Sequence, residues 1–122
     1  MNNSVWKIFG IYILMIILTL FSYDLSAQDI TVRYFNAEWN AANKVSWCHS
    51  KKGGLKDCKI LSYDIGKDAK AQSKYKIVVV PTIIIFKDGE EIKRFQADVS
   101  FKMAATKEEV QEYIDEQLIG DF

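Results

Sequence analysis

Proline and histidine each occur once in these 122 residues, cysteine twice, and net charge not at all. Each scarcity removes a class of function. The lone histidine, His49, has only Cys48 and Cys58 as possible co-ligands. Adjacent helical positions point about 100° apart and no Cys-x-x-Cys pair completes a site, so no metal is expected. The 16 basic and 16 acidic residues cancel, which leaves no electrostatic footprint for nucleic acid. Lys51, Lys52, Lys56 and Lys59 cluster beside Gly53 and Gly54 and read as a solvated loop. No sequence feature calls for a cofactor.

What is abundant is apolar sequence, and part of it must be set aside. Lys7 precedes an uncharged, mostly apolar run from Ile8 to Tyr23, followed by Leu25, Ser26 and Ala27. That order is the pattern of a secretory signal with a cut after Ala27. The run is about 16 residues, short of the roughly 20 that span a bilayer comfortably. An uncleaved anchor through residues 5–23 is the alternative, and then the only membrane contact. The run has no polar face, which excludes an amphipathic helix of a globular core. No cysteine near the cut can carry a lipid. Residues 1–27 remove one lysine and one aspartate, so residues 28–122 stay neutral and form a single domain. Either topology places that domain in an oxidising compartment, periplasmic or secreted.

Along the domain, Ile30, Val32 and Tyr34 alternate with Thr31, Arg33 and Phe35, the period of a strand. From Asn40 the spacing of Ala41, Val45 and Cys48 is helical, with Asn40 a favoured N-cap and Gly53–Gly54 as the stop. Residues 59–64 read as a strand returning parallel to the first, and 68–75 as a short polar helix. Residues 78–86 form one apolar run, as a strand buried on both faces requires. Asp88–Gly89 marks a hairpin into a strand over 91–95. Thr106 to Glu109 is a capping box opening a final helix whose apolar face is Val110, Tyr113, Ile114 and Leu118.

Two stretches carry a resemblance. Ala37-Glu38-Trp39 with Lys44, and Val80-Pro81-Thr82 followed by Ile83 to Gly89, look like thioredoxin, in which Ala-Glu-Trp-Cys-x-x-Cys-Lys opens a helix and a cis proline lies against it. The resemblance covers roughly residues 30–118. It implies a trimmed α/β thioredoxin-like fold: a four-stranded mixed sheet flanked by helices, lacking the first strand and helix of the usual fold. That trimming leaves residues 59–63 as an unprotected edge open to pairing with another chain. The resemblance also implies a cis bond at Pro81. Asn40 and Asn43 stand where the two sulfurs would be, and Tyr34 where many relatives have a buried acid. The loop 96–105, carrying Val99, Phe101 and Met103, is longer than its counterpart.

Asparagine neither ionises in the relevant range nor attacks sulfur, so the usual dithiol exchange is excluded at Asn40 and Asn43, and no catalytic residue is assigned. What remains of the resemblance is a groove. It implies that Val80 offers its backbone to an extended peptide, flanked by Trp39, Pro81 and Thr82. The structural reading of Pro81 is a residue that only shapes the strand entry. Cys48 and Cys58 have three readings: a disulfide, which is the default in an oxidising compartment, free buried thiols, or a relocated redox pair. The expected function is a protein- or peptide-binding module of the cell envelope without dithiol chemistry; the alternative is a thiol-disulfide oxidoreductase using Cys48 and Cys58.

Overall fold

The structure is a computed structural model, which describes residues 29–48 and 52–119. Residues 1–27, expected to be a secretory signal or an anchor, lie outside the described residues, as does His49. No helix among the described residues is long and apolar enough to cross a membrane. Four strands, β1 (Ile30–Asn36), β2 (Lys59–Asp64), β3 (Thr82–Lys87) and β4 (Glu90–Gln96), form one sheet in the order β2-β1-β3-β4. β1 runs parallel to β2 and antiparallel to β3, and β3 antiparallel to β4. The trimmed mixed sheet is therefore present, and β2 is an edge among the described residues.

The period of two sorts β1 and β3 into two cores. Ile30, Val32, Tyr34, Ile83 and Ile85 face one side with Val110 and Ile114 of helix α2 (Lys107–Ile119). Phe35 and Ile84 face the other with Ala71 of helix α1 (Ala69–Lys74), Ile77 and Val80. Ile83, Ile84 and Ile85 are all fully buried, which is why this stretch reads as a continuous apolar run. The strand itself starts only at Thr82: residues 79–81 bend instead of pairing, where Pro81, after a cis bond, has no N–H to give to a ladder.

Local signals hold elsewhere. The Asp68 side chain accepts from Ala71 N–H and caps α1. Thr106 Oγ1 accepts from Glu109 N–H at 3.1 Å and opens α2. Asp88 and Gly89 both have positive φ, 53° and 84°, as a two-residue hairpin turn matching strand twist requires.

The helix expected from Asn40 does not form. Two 3-10 segments, Glu38–Asn43 and Ser46–Cys48, replace it, with extended backbone at Lys44 and non-helical φ/ψ at Asn40. Ala37, not Asn40, holds the cap position, and no side chain caps it. Asn40 Oδ1, the atom that would accept from a backbone N–H in a cap, accepts instead from the Asn43 side chain, while the Asn40 side-chain N–H groups bond to other segments of the chain.

Candidate functional site

Asn40 joins three segments. It is 5% exposed, and its side-chain N–H groups donate to Asn36 Oδ1 at 3.1 Å, Phe101 O at 3.1 Å and Val80 O at 3.3 Å. An amide NH₂ has two protons, so one is shared. Asn40 Oδ1 accepts from Asn43 Nδ2 at 2.9 Å, and Asn36 Nδ2 donates to Asn40 O at 3.4 Å. The end of β1, the first 3-10 turn, the residue before the cis proline and the 96–105 loop thus meet on one carboxamide. A buried amide left without these partners would cost about 1–3 kcal/mol per unsatisfied group, so the network fixes the relative position of all four.

The loop is built to reach it. Asp98 Oδ1 accepts from Ser100 N, Ser100 Oγ and Lys102 N, and an isolated bridge pairs Ala97 with Met103. The hydrogen bonds from Ser100 and Lys102 hold the Asp98 carboxyl below its ordinary pKa. Ala97 N–H donates to Pro81 O at 3.0 Å. At the tip, Phe101 takes φ 62° and lies edge-on to Trp39, with ring centroids 5.2 Å apart at 89°. Trp39 is 66% exposed and Phe101 42%, so the two rings form a shared aromatic surface on the outside of the Asn40 network.

Of the four residues implied as peptide contacts, only Trp39 presents a surface. Val80, Pro81 and Thr82 are buried. The Val80 carbonyl accepts from Asn40, and Thr82 Oγ1 donates to Val79 O at 2.7 Å. Beside Trp39, a cleft of about 550 Å³ lies between the first 3-10 turn and the end of β2, lined by Glu38, Ala41, Lys44, Ser62, Tyr63 and Asp64 among others. Tyr34 accepts from Val45 N–H at 2.9 Å, which holds the chain after the 3-10 turn, and burial raises its pKa.

Cys48 and Cys58 are free thiols in the structure, the arrangement of the second of the three readings. Cys48 is fully buried in the core cluster and Cys58 packs against it, so both act as small hydrophobes. Burial pushes the Cys48 thiol up to about 12, with Cys58 adding to the effect. Burial followed by Asp57 pushes Cys58 up to about 11. A reactive thiol needs the opposite environment. Among the described residues no group of His, Cys, Asp and Glu could hold a metal ion.

Sequence reasoning passed over Asn36, whose only signal was a polar residue ending an apolar strand. It also passed over Arg33, a cation in a central strand.

No protein-family model matches the chain, and no curated protein matches its sequence. Solved structures do. A point mutant of thioredoxin from Halobacterium salinarum superposes with TM-score 0.59 at 18% identity, over 73% of this chain and 74% of that one. Thioredoxin 1 from the thermophilic eubacterium Thermosipho africanus superposes with TM-score 0.57 at 21% identity, over 75% of this chain and 99% of that one. A malaria parasite thioredoxin-2, described as a component of protein secretion machinery, gives 0.54 at 18%, over 73% and 84%. The chain has a thioredoxin-like fold.

Proposed function

From a thioredoxin-like fold with asparagine at both exchange positions, we infer a non-redox protein-binding module of the cell envelope, exported by the leader over residues 1–27. The observation that carries this reading is the exposed Trp39–Phe101 pair held rigid by buried Asn40. Aromatic anchors dominate interface energies when they are ordered before binding. Here the ordering is supplied by hydrogen bonds and not by a partner. Asparagine at positions 40 and 43 supplies no thiolate for dithiol exchange, which supports binding without that reaction. The partner is an extended peptide or a protein surface that stacks on Trp39, with Val80, Pro81 and Thr82 as the floor of the site.

A second reading rests on the β2 edge. Ser62, Tyr63 and Asp64 of that edge also line the 550 Å³ cleft, so a strand added along residues 59–63 would have a place for a side chain. Capture of partners from envelope extract by the purified protein separates the readings. Trp39→Ala should weaken the captured partner by about 1–3 kcal/mol if the aromatic pair is the anchor. Leu61→Pro, with the fold verified, should abolish capture instead if the edge pairs, because proline cannot donate to a ladder. Reduction of insulin disulfides, lost on Cys48→Ser, would overturn the non-redox reading and restore the oxidoreductase alternative.

A further inference from the structure

Arg33 sits in β1, the strand flanked by both β2 and β3, on the face opposite α2. Its guanidinium carbon lies 5.1 Å from the Phe86 ring centroid, 5.2 Å from Tyr75 and 5.9 Å from Tyr63. Nη1 donates to Tyr63 Oη. Nε is buried without a partner, and among the described residues no carboxylate pairs with the group. A cation held against apolar rings loses hydration that one neutral hydroxyl does not replace.

The surroundings supply more positive charge. Arg33, Lys74, Lys76 and Arg94 line a cleft of about 490 Å³, together with Thr31, Tyr75, Phe86, Gly89 and Glu91. Its size falls in the range of small-molecule sites. Glu91, the one acid there, is committed to Arg94 through bonds of 2.8 and 3.3 Å. Arg94 also donates to Tyr75 O and Lys76 O at 2.8 and 3.0 Å, which covers the carbonyls at the end of α1 that would repel an anion. Arg33, Lys74 and Lys76 line the cleft without a carboxylate partner among the described residues.

The geometry points to this cleft as a binding site for a dianionic oxyanion, the phosphate group of a small phosphorylated molecule, with Arg33 as its central contact. Three unpaired cations favour a doubly charged group over a single carboxylate. The aromatic rings behind Arg33 hold the guanidinium in place before the ligand arrives. The cleft lies on the opposite face of the sheet from the α2 core and uses none of the residues of the Asn40 site, so it stands or falls apart from the binding function proposed there.

The test is a titration of the purified protein with inorganic phosphate, followed by amide and arginine side-chain resonances. Sodium chloride at matched ionic strength and sodium acetate serve as controls. Phosphate should give saturable shifts at Arg33, Lys74, Tyr75 and Lys76, with chloride and acetate giving no saturation. Arg33→Gln should weaken phosphate by about tenfold or more. Lys74→Gln combined with Lys76→Gln should weaken it by a similar factor, at exposed positions that leave the fold intact if Arg33→Gln does not. The proposal is overturned by shifts that do not saturate, by equal saturation with acetate, or by phosphate binding that survives the lysine pair.

Discussion

Asn43 donates its side-chain amide to Asn40 Oδ1 at 2.9 Å, so the two asparagines of the first 3-10 turn touch through a hydrogen bond. With the bonds of Asn40 to Asn36, Val80 and Phe101, that contact makes the turn a clamp.

That contact predicts the outcome of restoring sulfur. Asn40→Cys with Asn43→Cys should form a new bridge under mild oxidant, seen as the loss of two hydrogens in the peptide carrying both. The thiols should not be strongly acidic, because the segment is a kinked 3-10 turn without the aligned amides that lower a thiol pKa at a helix start. Two thiols that stay reduced would mean the contact is not maintained in solution.

Removing the clamp has a separate consequence. Asn40→Ala leaves the Val80 and Phe101 carbonyls and the Asn43 amide short of a partner, and should lower unfolding free energy by about 2–3 kcal/mol in urea. The Trp39 indole resonance should move toward its solvent-exposed position as Phe101 is released. Unchanged stability together with an unmoved indole would show that the loop is held by Asp98 and Ala97 alone.

The thiols predict an alkaline limit. A thiol whose folded pKa is raised contributes stability fully below the unfolded value, about 8.5. That contribution is lost as pH rises through the folded values, about 12 for Cys48 and about 11 for Cys58. The loss begins at the unfolded value, so stability should fall by about 1–2 kcal/mol per thiol between pH 8 and 10, and by less in total in Cys58→Ser. A disulfide-exchange reagent at pH 8 should meet almost no thiolate in the native protein and two thiols in the unfolded one. A count of zero after unfolding without reductant would instead identify a Cys48–Cys58 bridge.

The loop predicts an acid limit. Because the folded pKa of Asp98 is lowered, chiefly by Ser100, its hold on the loop is complete above the ordinary aspartate value of about 3.9. That hold is lost as pH falls through the lower folded value. Amide resonances of Ser100 and Lys102 should shift together in that window, with Phe101 and Trp39 following, and Asp98→Ala should show the acid pattern already at neutral pH. Loop resonances that titrate at the ordinary value would deny the carboxylate this role.

The sequence by itself determined the sheet. Strand alternation in Ile30 to Phe35, the apolar run through Ile85, the Asp88–Gly89 turn and the Thr106 cap are local or periodic signals, and each acts through the backbone of its own segment. Only the tertiary structure decided the site. Asn40 is a good N-cap by local preference, yet its side-chain N–H groups are drawn to Val80, 40 residues on, and Phe101, 61 residues on, its oxygen accepts from the Asn43 side chain, and the segment is a 3-10 turn. The same holds for Arg33, whose place in an alternating strand was legible while the ring of Tyr63, Tyr75 and Phe86 around it was not. Periodicity fixes which face a side chain takes; what waits on that face is set by chain segments distant in sequence, brought there by burial of the two cores.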